Sequence, residues 1–311
     1  MTEGKLAQQT SPLVSSYLVL AIGVCAVSLA AIFIRLAQNE AVPSLLIAEG
    51  RLLLAALILT PAVLRRADYV EQVRGLSRGD LGLVAVAGFF LALHFASWVT
   101  SLEYTSVLIS GVLVTTTPIW VALLEVFVLR ARISRRVIAG LLVAFTGGVM
   151  IGLSGDVADD VVAGDSLIGA ALSVIGAVTV AVYLIIGRKL RASIALTPYV
   201  WLVYGFAALV LSIGVLLSGT QIVGHSLSGY FWIVVLALVP QLVGHSSLNY
   251  ALAYLPATLV SVATQLEPVL STAVALVIFN EIPGVWQVIG GVVIMTGVTL
   301  ATLRRSPAPA E

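Results

Sequence analysis

Glu267 stands in the apolar run ATQLEPVLSTAVALVIF, with Thr264 three residues before it and Ser271 four residues after it. On a helix those offsets share one face, so the carboxyl belongs to a polar stripe. A charged group at the centre of a bilayer costs about 2.5–3.5 kcal/mol, which makes such a residue functional by default. The chemistry open to it is proton coupling or pairing with a substrate ammonium; the plainer alternative is a protonated carboxyl bonded to a neighbouring helix. Gln265 lies beside it. Two more stripes have helical spacing: Gln241, His245 and Asn249 at i, i+4 and i+8, and His94, Trp98 and Ser101 at i, i+4 and i+7. Such stripes either line a cavity or tie helices together through hydrogen bonds of about 0.6–2 kcal/mol. Two histidines on different segments do not make a metal motif, and no metal or cofactor is expected.

Two prolines sharpen the picture. Pro118 and Pro268 each fall near the middle of an apolar run and are related by an offset of 150 residues, as are Tyr104 with Tyr254, Gly140 with Gly290 and Gly147 with Gly297. A proline frees the carbonyl four residues earlier, here Val114 and Thr264. In lipid a freed carbonyl is tolerated where it faces protein, water or substrate. Matched breaks in matched helices point to a carrier's site, with a packing kink as the alternative. Thr115, Thr116, Thr117 and Trp120 surround the first break, and Thr264, Gln265 and Glu267 the second. Tyr183 is a candidate for the cavity wall or for a packing face. Arg35 and Glu49 are candidates for an ion pair at the outer mouth. Glu49 and Arg51 are two apart and point to different sides. Glu125, near Arg130 and Arg132, reads as structural, and Cys25 as a small core residue.

These residues need helices to hold them, and composition supplies them. The chain is 60% hydrophobic and 10% charged with a mean hydropathy of +1.10, against about 45–50% and about 25% for soluble domains. An integral membrane protein follows. With about 20 residues per crossing, spans fall at 16–37, 44–64, 80–102, 105–129, 134–154, 165–187, 197–218, 229–252, 257–279 and 283–303. The first is too long for a signal peptide's apolar core. Of the 16 Lys and Arg, all but Arg35 and Arg51 then fall on one side. By the positive-inside rule that side, and both termini, are cytoplasmic. Ten helices divided by the 150-residue offset give two five-helix repeats, and an odd number inverts the second. The expected organisation is a first repeat at 1–154, an acidic outer linker at 155–164 carrying Asp156, Asp159 and Asp160, a second repeat at 165–304 and a tail at 305–311. A net charge of +1 without a basic stripe argues against nucleic acid, and no nucleotide-binding glycine loop or nucleophile motif is present.

The stretches AEGRLLLAALIL, HFASWVTSLEYTSVLISGVLVTTTPIWVALLEVFVL, GHSSLNYALAYLPATLVSVATQLEPVLSTAVALVIFNEIP and QVIGGVVIMTGVTLA resemble the drug/metabolite transporter superfamily, specifically ten-helix members with two EamA-type repeats. The resemblance implies a central cavity lined mainly by the first, third, fourth, sixth, eighth and ninth helices, often in a proton-coupled exporter or exchanger. Members carry amino acids, drugs, sugars and other metabolites. One departure stands out: the Gly-Glu pair that commonly ends the fourth and ninth helices is represented by Asn280-Glu281 in the second repeat and replaced by Arg130-Ala131 in the first.

The function expected is secondary active transport by alternating access, as an exporter of small metabolites such as amino acids or drug-like amphiphiles, in a bacterial inner membrane. His94, Trp98, Thr115, Thr117, Trp120, Tyr183, Gln241, His245, Asn249, Thr264, Gln265 and Glu267 are expected to bind substrate, with Glu267 coupling to protons. The alternatives are an uncoupled facilitator or exchanger, and a membrane scaffold whose polar stripes serve only packing.

Overall fold

A chain this apolar must satisfy its backbone hydrogen bonds within each crossing segment, and helices do so. The computed structural model describes residues 12–129, 135–153, 163–280 and 282–302, and among them there is no strand. The first apolar run forms α1 (Pro12–Ser28) and α2 (Ala30–Asn39), broken at Leu29. Then come α3 (Ser44–Leu64), the short α4 (Ala67–Arg74), α5 (Arg78–Tyr104), α6 (Val107–Val114), α7 (Thr117–Leu129) and α8 (Arg135–Leu153). The second half holds α9 (Ala163–Arg191), α10 (Leu196–Ser218) and α11 (Leu227–Leu236), which continues through a π-helical segment (Ala237–His245) into α12 (Ser246–Ala251). Last are α13 (Ala257–Ala263), a 3₁₀ turn (Thr264–Leu266), α14 (Glu267–Phe279) and α15 (Val285–Thr302).

Eight helical stretches of the described residues are long and apolar enough to cross a bilayer, and shorter apolar stretches lie at Ile138–Gly148 in α8 and Val288–Leu300 in α15. Expected boundaries agree closely with several helices, as at Ser44–Leu64. The difference lies inside the spans: the first, fourth, eighth and ninth are interrupted. Serines start several helices by accepting from the first-turn backbone, Ser77 from Asp80 N–H, Ser106 from Ile109 N–H and Ser226 from Gly229 N–H, which replaces bonds the helix cannot make itself. Asn280 closes α14 with φ of 54°, a left-handed turn that asparagine tolerates. The expected acidic linker up to residue 162 and the C-terminal tail, with Glu281, Arg130 and Arg132, lie outside the described residues, and the linker's last two positions open α9.

α4 was not expected. It carries no buried residue and is clamped to the turn between α9 and α10, where Gln72 donates to Ser193 O and accepts from Ala195 N–H.

Large apolar side chains such as Leu142, Leu216, Leu217 and Val277 face outward, as a lipid solvent requires. Inside, α5 packs on α9, α3 on α10, α1 on the π-helical segment and α12, and α8 on α15. The last contact is backbone against backbone. A methyl at Gly147 would come within 2.6 Å of Gly290 O, and one at Gly297 within 2.6 Å of Gly140 O. These are the glycines paired by the 150-residue offset, each meeting the partner of the other. Small residues at such a crossing let helices approach where lipid gives no hydrophobic drive.

Candidate functional site

The interruptions converge. A cavity of about 50 Å³ lies among α1, α5, α9, α12 and the two broken crossings α6–α7 and α13–α14. A water needs about 10–15 Å³ of such space, so it holds a few waters or a small polar group.

The break before Pro118 is repaired locally. α6 ends at Val114, and Thr117 Oγ1 donates to the freed Val114 carbonyl at 2.8 Å. Thr115 bonds back to Gly111 O at 2.8 Å, and both threonines line the cavity. Before Pro268 the repair is a 3₁₀ turn, with Glu267 N–H reaching the Thr264 carbonyl. Side chains three apart eclipse in 3₁₀ geometry. Thr264 and Glu267 therefore face the cavity together, while Gln265 is turned onto α15, where its Oε1 accepts from Thr299 Oγ1 at 3.2 Å. Gln265 does not line the cavity, contrary to expectation. Ser271 Oγ returns to the Glu267 backbone carbonyl at 2.6 Å, and no hydrogen bond among the described residues reaches the Glu267 carboxyl.

α5 contributes His94 and Trp98, whose rings stack at 5.8 Å. His94 Nδ1 meets Gly176 O at 2.9 Å; a carbonyl only accepts, so Nδ1 carries the proton and Nε2 is free to accept if the ring is neutral. His245 and Asn249 close the opposite wall. Tyr183 OH donates to Asn249 Oδ1 at 2.7 Å, and Asn249 Nδ2 donates to His245 O at 2.7 Å. Below them Arg191, which sequence reasoning counted only as a topology charge, is buried, with Nε donating to Asn249 O at 3.1 Å. It caps one carbonyl near the end of the eighth crossing and bonds Ile194 O in the turn after α9, as basic side chains do at helix C-termini.

Nine of the twelve expected residues thus share one cavity: His94, Trp98, Thr115, Thr117, Tyr183, His245, Asn249, Thr264 and Glu267. Trp120, Gln241 and Gln265 do not. Trp120 is held aside by its Nε1 bond to Thr116 Oγ1 at 3.2 Å. Gln241 lies in the π-helical segment around Pro240, where each turn holds more residues than an α-turn. The straight-helix stripe is broken, and Gln241 turns to α3, accepting from Arg51 Nε at 3.1 Å.

Arg51 is the residue the sequence undervalued. It is 0% exposed, stacks over Phe95 with its Cζ 4.2 Å from the ring centroid, and among the described residues leaves Nη1 and Nη2 without hydrogen-bond partners. An unmade buried donor costs about 1–3 kcal/mol, more when charged. The signal for it was the bare presence of an arginine within an apolar run. The Arg35–Glu49 pair does not form: Arg35 Nη2 donates to Thr105 O at 2.8 Å, and Glu49 accepts from Ser212 Oγ at 2.9 Å. Glu49 reaches across to α10 because α3 packs there.

A bundle of membrane-length helices whose interruptions meet at an internal cavity of mixed polar and apolar lining defines a polytopic membrane protein. Residues 14–153 and again 167–303 match the EamA-like transporter family, and the chain belongs to that family of the drug/metabolite transporter superfamily. It is 24% identical over 264 residues to an uncharacterized transporter of Clostridium kluyveri, covering 84% of each chain. A solved crystal structure superposes with a TM-score of 0.63 at 19% identity, covering 92% of this chain and 97% of the other, a likeness of fold.

Proposed function

We propose that this transporter is a secondary active carrier that exports small metabolites, such as amino acids or drug-like amphiphiles, by alternating access in a bacterial inner membrane, with Glu267 coupling export to protons. The observation that carries the reading is the meeting of two repeat-related helix breaks, Thr115–Thr117 and Thr264–Glu267, at one cavity whose one acidic lining group among the described residues is Glu267. Broken helices at the repeat interface are where carriers bind solute and ion.

In this reading ten helices form two inverted five-helix repeats, with both termini in the cytoplasm. The reciprocal crossing of Gly147 on Gly290 and Gly297 on Gly140 is what a pseudo-twofold axis between repeats produces. Two family matches in tandem support the duplication. The exposed Arg65, Arg66, Arg74, Arg78, Arg135, Arg136, Arg188 and Lys189 support the orientation. Exchanging the conformations of the halves would open the cavity to alternate sides.

The test is counterflow and gradient-driven uptake in proteoliposomes, offering pooled labelled metabolites with and without an imposed pH gradient. Wild-type protein is expected to accumulate solute against the gradient, and Glu267→Gln to retain exchange while losing the gradient response. A variant that still follows the gradient would remove Glu267 from coupling. Exchange with no gradient response in wild type would make the protein a facilitator, and absence of any flux would favour a scaffold.

A further inference from the structure

Unmatched donors gather behind the cavity. Among the described residues Arg51 Nη1 and Nη2 make no hydrogen bond, nor does Gln241 Nε2. The Arg51 Nε bond fixes the Gln241 oxygen toward the guanidinium, which turns the amide nitrogen the other way. No carboxylate answers them among the described residues: Glu49 is bonded to Ser212, and the salt bridge observed is between Arg66 and Asp68 at the surface. A buried patch with donor nitrogens left unmatched, two of them on a guanidinium, is complementary to an anion. Two terminal guanidinium nitrogens side by side form the fork that a carboxylate fills with paired hydrogen bonds.

The patch is one ring away from the cavity. The Phe95 ring beneath Arg51 contacts His94 at 4.8 Å and His245 at 5.2 Å between centroids, and both histidines line the cavity with Glu267. The acceptor group lines the cavity, and the donor patch lies one aromatic ring beyond its wall. Resting on the transporter reading above, we infer that Arg51 recognises the carboxylate of a small zwitterionic solute, which reaches it from the cavity past the Phe95 and His245 rings while its ammonium faces Glu267. A phosphate monoester presents related oxygens, but the planar fork with one amide donor beside it fits the two oxygens of a carboxylate.

The test uses the whole protein in proteoliposomes. Counterflow of neutral L-amino acids is compared with that of their amides, their decarboxylated amines and O-phosphoethanolamine, for wild type, Arg51→Lys and Arg51→Gln. The amino acids are expected to exchange, with amides and amines about tenfold or more weaker, as loss of charged hydrogen bonds implies. Arg51→Gln should weaken the acids by a similar factor and leave the amines unchanged, with Arg51→Lys in between. Amides and amines exchanging as well as the acids, or phosphoethanolamine in their place, would overturn the carboxylate assignment while transport stands. No flux of any solute would overturn the transport reading and the assignment together. Should Arg51→Gln fail to fold, Arg51→Lys decides together with the acid-against-amide comparison in wild type: an unchanged preference for acids in Arg51→Lys at full rate would overturn the assignment to Arg51.

Discussion

Tyr183 shows how a single hydroxyl is used where water is scarce. Its OH donates to Asn249 Oδ1, and that asparagine donates to His245 O, so one phenol fixes the wall that presents the histidine. Interhelical bonds of this kind are worth about 0.6–1.7 kcal/mol. Tyr183→Phe is expected to lower stability by that amount, read from thermal unfolding in detergent. Outside the membrane, Glu40 accepts from Ser226 Oγ at 2.6 Å, and serine hydrogen bonds, from Ser226 first and then Ser228, hold its carboxyl below the usual carboxylate range. A lowered carboxyl contributes at pH above its unfolded value and loses its contribution as pH falls through the folded value. Wild type should therefore be slightly more stable than Glu40→Gln at neutral pH, and thermal unfolding of the two should converge on acidification. The cavity residues were largely legible at this scale, because helical spacing placed His94 with Trp98 and Thr264 with Glu267. Arg51 was not, since nothing in a sequence says which neighbours a buried charge will lack.

At the scale of elements, the departures from regular α-helix decide where side chains point. The prolines at 118 and 268 announced two of them. Pro240 announced a third that the polar spacing concealed: the π-helical segment around it separates Gln241 from the cavity that His245 and Asn249 line. Pro240→Ala restores an N–H and permits a regular α-turn, which should rotate Gln241 relative to His245. The expected outcome is a folded protein with reduced counterflow and altered reactivity of a cysteine placed at position 245. The α8–α15 crossing tests packing separately. A methyl at Gly147 or Gly297 would lie 2.6 Å or less from the facing backbone, and forced overpacking costs about 1–3 kcal/mol. Gly147→Ala and Gly297→Ala should each lower the unfolding temperature, while protein that remains folded keeps its counterflow, since neither glycine lines the cavity.

For the whole molecule, the distribution of charge and the order of crossings are what the proposed orientation rests on. With Cys25 replaced by serine, a cysteine at Arg78 should react with an impermeant thiol reagent only from the cytoplasmic side, and one at Ser226 only from outside. Labelling of both from one side would overturn the inverted arrangement. α4, bonded through Gln72 to the α9–α10 turn, ties together two segments that carry exposed basic residues, in keeping with a common face.

The amino-acid sequence by itself determined that this protein lives in a bilayer, where most of its crossings begin and end, and where two of its four interrupted crossings break. Those properties follow from hydropathy, proline and spacing, all of which act within a single segment. The tertiary structure alone decided that the two breaks share one cavity, that Gln241 and Gln265 face α3 and α15, that Glu49 joins Ser212 rather than Arg35, and that Arg51 is enclosed with its donors unmatched. Each of these depends on which helix lies against which. In a membrane that choice is made by close packing and by hydrogen bonds between segments distant in sequence, which no local pattern records.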